Sequence, residues 1–159
     1  MIISPKNFIK EIKFESQVQP AGVDLTIKQL EEFLEPGSID AENKYRIIPK
    51  TKVLDWGKDE KIHLKAGVYK IVFNEIISVP KNAIAIAQSR SSLLRTGNAV
   101  FNAIWDPGYS GRSEALLAVL NPYGLTLYKN AKVVQIIFIK MQKKAQKLYS
   151  GIYQNENKF

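Results

Sequence analysis

The segment ALLAVLNPYGLTLYKNAKVVQIIFIK, Ala115 to Lys140, decides the fold class. It reads as three strands, Ala115 to Leu120, Leu125 to Tyr128 and Val133 to Lys140, rich in Leu, Ile and Val. Asn121-Pro122-Tyr123-Gly124 and Lys129-Asn130 between them are turn chemistry. The cadence continues upstream. Val23 to Ile27, Tyr45 to Ile48, Lys61 to Leu64, Val68 to Phe73 and Ala83 to Gln88 read as further strands. Pro36-Gly37-Ser38, Trp56-Gly57, Ala66-Gly67, Val79-Pro80-Lys81-Asn82 and Asp106-Pro107-Gly108 punctuate them. Many short strands at close spacing predict an all-β barrel or jelly roll.

Helix signals are few. Ser4-Pro5 ahead of Asn7 to Ile12 predicts a short N-terminal helix with serine as cap and proline in its first turn. Ser91 to Arg95 reads as one helical turn whose apolar side is Leu93 and Leu94. No repeat, linker or composition break divides the chain, so one domain is expected over residues 1–159. The polar tail from Tyr149 is expected to be mobile when nothing is bound.

A chain of 159 residues is long enough to bury a sizeable core. It has no cysteine, which excludes disulfides, thiol nucleophiles and thiolate metal sites. His63 is the only histidine, which excludes a multi-histidine zinc site, and nothing beside it completes a triad. No apolar run reaches membrane-spanning length, and Met1 to Lys13 lacks a signal-peptide core, so a soluble cytoplasmic protein is expected. The net charge of +8 favours polyanionic partners. The lysines are scattered, however, and their one dense cluster, Lys140, Lys143, Lys144 and Lys147, reads as a solvated face rather than a nucleic-acid surface.

Two segments carry chemistry. Ser89-Arg90-Ser91-Ser92 follows an apolar strand and offers a planar guanidinium and hydroxyls to phosphate oxygens, with Arg95 one turn further on. The alternative is a helix cap with an exposed arginine. Asp106-Pro107-Gly108-Tyr109 is a turn holding a carboxylate among Phe101, Trp105 and Tyr109. An aspartate in that setting can orient a water and accept its proton, and a tyrosine face can stack on a sugar. Asp24, between apolar residues of a strand, is either solvent-facing or a carboxylate that holds magnesium through water. Gln135, inside an apolar run, pairs either with backbone or with a ligand. The chain lacks GxxxxGK[ST] and GxGxxG, which excludes P-loop and Rossmann sites.

These segments, in this order, resemble the superfamily of dUTP diphosphatases and dCTP deaminases. Pro20-Ala21-Gly22-Val23-Asp24-Leu25 is similar to the first dUTPase motif, Ser89 to Ser92 to the second, Ala103 to Gly111 to the third and Lys132 to Ile136 to the fourth. The resemblance implies a β-clip jelly roll assembled as a homotrimer with active sites shared between subunits. It implies that Asp24 holds Mg2+ through water and that Asp106 activates the attacking water. Tyr109 would pack on the deoxyribose, the backbone from Asn102 through Ala103 to Ile104 would recognise the base, and Gln135 would contact phosphate or position the chain.

The opening Met1-Ile2-Ile3-Ser4 and the tail Tyr149 to Gln154 resemble deaminase-type members, with Tyr153 as the tail's substrate contact. There are departures. The glycine-rich arm that forms a fifth dUTPase motif has no counterpart. Ile152 stands where related tails carry lysine. The proton-shuttling glutamate of deaminases falls at Leu116 counted from Asp106, or at Ala118 counted back from Asn121. Glu114, the nearest carboxylate, is expected outside the site. The leading expectation is therefore hydrolysis of dUTP to dUMP and pyrophosphate. Deamination of dCTP, alone or combined with hydrolysis, is the second. A nucleotide- or nucleic-acid-binding module that kept the fold without the chemistry is the third.

Overall fold

A computed structural model describes residues 1–158; residue 159, the last of the expected tail, lies outside the described residues. In chain order the strands are β1 (Ile2–Ile3), β2 (Ile9–Lys10), β3 (Val23–Phe33), β4 (Thr51–Val53), β5 (Lys61–Leu64), β6 (Gly67–Phe73) and β7 (Ile76–Ser78). They continue with β8 (Ala83–Ser89), β9 (Asn98–Phe101), β10 (Ser110–Gly111), β11 (Glu114–Val119), β12 (Leu125–Tyr128) and β13 (Lys132–Lys140). The one α-helix among the described residues, α1, is Ser91–Arg95, as the sequence predicts. Single 3-10 turns occupy Pro5–Phe8 and Glu15–Gln17.

Eight strands form a sheet along β1-β13-β3-β6-β11-β9, with β4 on β3 and β8 on β13. Two small sheets, β10-β7-β2 and β12-β5, complete a curled, nearly closed half-barrel, the distorted jelly roll expected. The long β3 is the hinge of this architecture. Val23 to Thr26 pair with β13, Ile27 to Glu31 with β6, and Glu31 to Phe33 with β4. Irregularities between Ile27 and Gln29 in the pairing with β6, and between Lys132 and Val134 opposite Thr26 and Leu25, let one strand turn from one half of the barrel to the other. Val23, Leu25, Ile27, Leu30, Ile71, Phe73, Leu117, Val134, Ile136 and Phe138 make the core where the halves meet. No helix among the described residues is long and apolar enough to cross a membrane.

Three local expectations are corrected. The N-terminal helix is only the 3-10 turn Pro5–Phe8; Ile9 is already extended and pairs with β7, and Glu11 sits at a φ of 60°. Branched Ile9 suits a strand better than a helix interior. Tyr45 to Ile48 is not a strand: Ile47 makes one bridge to Ser38, and Pro49 next in sequence cannot donate to a ladder. The short strands β1, β4, β7, β9 and β10 lie outside the expected set, because two to four residues carry too little alternation to read.

Candidate functional site

The sequence-predicted residues fall mainly into two cavities whose linings have no residue in common. The first, of about 550 Å³, lies on the outer face of β3, β13 and β8. Register builds it: Asp24 stands opposite Gln135, and Gln135 opposite Gln88. Val134, Ile136 and Phe138 point into the core, so alternation turns Gln135 and Ile137 to the cavity. Gly22 is needed here because β13 passes so close that a Cβ would collide with the Ile136 carbonyl oxygen.

The Asp24 carboxylate is buried. Its Oδ2 lies 3.1 Å from Arg90 Nε and accepts from Gln19 Nε2 at 3.4 Å; its Oδ1 accepts from Gln135 Nε2 at 3.4 Å. The solvent-facing reading of Asp24 and the backbone-pairing reading of Gln135 are thereby replaced by this contact. Arg90 is the residue before α1, and Ser91 lines the cavity beside it. Ser89 also reaches the lining, but its hydroxyl is engaged with β9, donating to the Val100 carbonyl at 3.0 Å and accepting from Val100 N–H at 2.8 Å. Ser92 is exposed and outside this lining, and Arg95 lines a separate cavity with Leu94, Asn98 and Asn121.

Among the described residues no three acidic or histidine side chains cluster. One carboxylate, paired with Arg90 and approached by the N–H groups of two glutamines, does not fit an all-protein cage; it fits a magnesium ion only at a distance, through that ion's own water and phosphate ligands.

The second cavity, of about 800 Å³, surrounds Asp106. Tyr109 N–H donates to the Asp106 carbonyl at 3.1 Å across Pro107 and Gly108, and Gly108 at φ 86° gives the type II geometry that needs glycine. The turn is tied to Val79, whose carbonyl accepts from Gly108 N–H at 3.1 Å and whose N–H donates to Tyr109 at 2.8 Å. Asp106 is exposed at the cavity edge, while Trp105 and Tyr109 are buried. Ala103 and Ile104 line the cavity. Phe101, expected among these rings, is exposed and outside the lining. The side-chain amide of Asn102 is buried and, among the described residues, neither its nitrogen nor its oxygen has a hydrogen-bond partner; Asn102 lies outside both cavity linings.

Glu114 is corrected. It lines the same cavity as Asp106, because β11 begins at Glu114 directly after the buried Arg112 and Ser113. Its carboxylate is already engaged: Oε2 lies 3.2 Å from Lys70 Nζ, and Oε1 accepts from Asn157 Nδ2 at 3.0 Å. Lys70 also pairs with buried Glu31 at 2.8 Å. Burial works to lower the Lys70 ammonium, but its bonds to Glu31 and Glu114 outweigh that and hold it above the usual lysine range. Of the two positions where the resemblance would put a deaminase glutamate, Leu116 lines the cavity as an apolar group and Ala118 is buried.

The tail docks along this loop. Tyr149 N–H donates to the Pro107 carbonyl and Asn155 N–H to that of Ser110, at 2.9 and 2.7 Å. Gln154 bridges Ser110 N–H and the Gly108 carbonyl, both at 2.9 Å. Arg112 N–H donates to the Glu156 carbonyl at 2.9 Å, and the Tyr109 hydroxyl donates to Glu156 Oε1 at 2.7 Å. Burial pushes both groups up, the Tyr109 phenol strongly and the Glu156 carboxyl above its ordinary value. Tyr153 lines the cavity, half-exposed. His63 lies outside both cavities, with Nδ1 3.0 Å from Thr126 Oγ1.

Gln88, Lys70, Arg112 and Glu156 were missed. Gln88, like Gln135, is a polar residue in an apolar strand, and that signal was there to use. The others become site neighbours only through long-range pairing.

A family model described as dCTP deaminase-like matches residues 3–141, and the chain belongs to this family. Its relatives narrow the class. A probable deoxyuridine 5'-triphosphate nucleotidohydrolase of Methanosarcina mazei is 47% identical over 143 residues, covering 90% of this chain and 84% of that protein. A deoxyuridine 5'-triphosphate nucleotidohydrolase of Methanocaldococcus jannaschii is 38% identical, covering 93% of each. Among solved structures, the 2'-deoxycytidine 5'-triphosphate deaminase of Agrobacterium tumefaciens superposes with a TM-score of 0.61 at 20% identity, over 84% of this chain and 42% of that one. That likeness concerns the fold.

Proposed function

We propose that this chain is a dUTP diphosphatase that converts dUTP and water to dUMP and pyrophosphate. The observation that carries hydrolysis over deamination is that both positions where the resemblance would put a deaminase glutamate are apolar, Leu116 in the Asp106 cavity and Ala118 in the core. The names of the relatives support the same choice.

In this reading the Asp106 carboxylate orients a water and accepts its proton as the water oxygen attacks the α-phosphorus in line with departing pyrophosphate. Arg90 and Ser91 grip phosphate oxygens. Asp24 and Gln135 face the same cavity, and Asp24 would hold Mg2+ through water; that ion neutralises triphosphate charge when bound. The backbone of Asn102 to Ile104 reads the base, and does so selectively, since an unmatched buried polar group is costly. In the shared-site homotrimer that the family resemblance implies, the Asp24–Arg90 cavity of one subunit meets the Asp106 loop of another, and the separation of the two cavities within one chain supports that arrangement.

Replacing Asp106 by Asn tests the reading. Binding of a non-hydrolysable dUTP analogue is expected to persist while turnover falls about 10²- to 10⁴-fold. Normal turnover in Asp106→Asn would refute it. The second reading, dCTP deamination, is favoured by one observation, the presence of Glu114 in the cavity. Its engagement by Lys70 and Asn157 argues against it, and ammonia released from dCTP would establish it.

A further inference from the structure

Behind Asp24 lies a buried polar assembly that the proposed reaction does not use. Gln17 and Glu75 are both wholly buried, and they meet although 58 residues apart. The Gln17 amide is saturated. Its nitrogen donates to the Asp24 main-chain carbonyl at 2.8 Å and to Glu75 Oε1 at 2.7 Å. Its oxygen accepts from Lys13 N–H at 2.7 Å and Phe14 N–H at 2.9 Å. Glu75 also takes the Thr26 hydroxyl on Oε1 at 2.6 Å and Thr26 N–H on Oε2 at 2.9 Å. Among the described residues all its hydrogen-bond donors are uncharged.

A wholly buried carboxylate held only by neutral donors is a costly way to join two loops. An apolar contact would serve for packing alone. What the assembly adds is direction: it fixes the backbone of β3 directly after the Asp24 side chain, at Asp24's own carbonyl and at Thr26. Gln17 also anchors the 3-10 turn that leads to Gln19, the residue that bonds Asp24 Oδ2. Among the described residues the Asp24 carboxylate is held by the Arg90 ion pair at 3.1 Å and two longer glutamine bonds at 3.4 Å, all from side chains that can turn, so its aim also depends on this backbone.

We propose that Gln17 and Glu75 are positioning residues that hold Asp24 in the orientation needed to receive magnesium-bound triphosphate. The inference rests on the reading of Asp24 given above. Outer-shell partners of this kind typically change metal affinity 10- to 100-fold.

The test uses the full chain and the variants Gln17→Met and Glu75→Gln, with the core truncation Ile71→Val as the stability control. Binding of inorganic tripolyphosphate with magnesium is measured by calorimetry, beside kcat and KM for dUTP. Gln17→Met is expected to weaken binding about tenfold and raise KM, with kcat changed less than KM. Glu75→Gln keeps the shape but turns an amide N–H₂ toward a neighbouring donor. It is expected to weaken binding in the same sense, which covers failure of the methionine variant to fold. Ile71→Val should lower the melting temperature and leave binding alone. Wild-type affinity in a folded Gln17 or Glu75 variant, or equal weakening in Ile71→Val, overturns the proposal. Wild-type protein that binds magnesium tripolyphosphate without hydrolysing dUTP refutes the diphosphatase reading, and positioning is then judged on binding alone. Wild-type protein that binds neither overturns both.

Discussion

Lys70 is held between two carboxylates at the wall of the Asp106 cavity, and its pairing with Glu31 is the more buried of the two. Burial works to raise the Glu31 carboxyl, but bonds from Lys70, Thr51 and Gln29 outweigh it and leave Glu31 below the usual glutamate range. A depressed folded value gives stability that is present above the ordinary value, about 4.3, and lost as pH falls through the folded one. Lys70→Met leaves Glu31 buried without its cation, and is expected to cost about 2–3 kcal/mol at pH 7, less than for a fully dry pair. Urea unfolding at pH 7 and near pH 3 checks this: the cost should shrink at the lower pH. At the residue scale the sequence marks Asp24, Arg90, Gln135 and Asp106 as candidates, and the structure puts the first three in one cavity and Asp106 in another. Their chemistry is local, a charge or amide set in an apolar strand or beside a turn. The sequence is less legible at Glu114, whose neighbours Lys70 and Asn157 lie 44 and 43 positions away along the chain.

Among the elements, the tail from Tyr149 is the one whose placement matters most for the site. Hydrogen bonds tie it to the loop from Pro107 to Arg112, and it covers the Tyr109 ring, which stacks edge-on against Tyr149 with centroids 5.6 Å apart. A sugar can reach that ring only if the tail yields. Burial is the main cause that raises Glu156, with Glu114 adding repulsion; the Tyr109 hydrogen bond and Lys70 act the other way. A raised value in the docked state means that docking takes up a proton. Docking is therefore strongest at low pH and weakens as pH rises through the docked value. Amide-exchange protection at Arg112 and Asn155, corrected for intrinsic rates, is expected to be greater at about pH 5 than at about pH 8. In Glu156→Gln the difference should vanish. The tail's polarity was legible in the sequence, but its seat was not, since no period or turn signal marks which loop a polar segment will meet.

At the scale of the whole molecule, the separation of the two cavities makes a test of assembly possible. In a trimer with shared sites, Arg90→Ala and Asp106→Asn damage opposite halves of each site. Co-refolding the two inactive variants in equal amounts should restore about a quarter of wild-type activity, the fraction of junctions where an intact Asp106 meets an intact Arg90. A site formed within one chain gives no recovery. The same scale shows where sequence reading stops. Alternation, turn residues and one short helix start, all properties of neighbouring residues, determined that this chain is a β half-barrel bearing a serine–arginine segment and an aspartate turn. Only the tertiary structure decided that Asp24, Gln135 and Gln88 stand in one row, that Glu114 enters the Asp106 cavity, that Gln17 and Glu75 brace β3, and that one chain keeps its two cavities apart. Those outcomes depend on strand register and on contacts between residues distant in the chain, and a pattern with a period of two says which face a side chain occupies without saying what it will face.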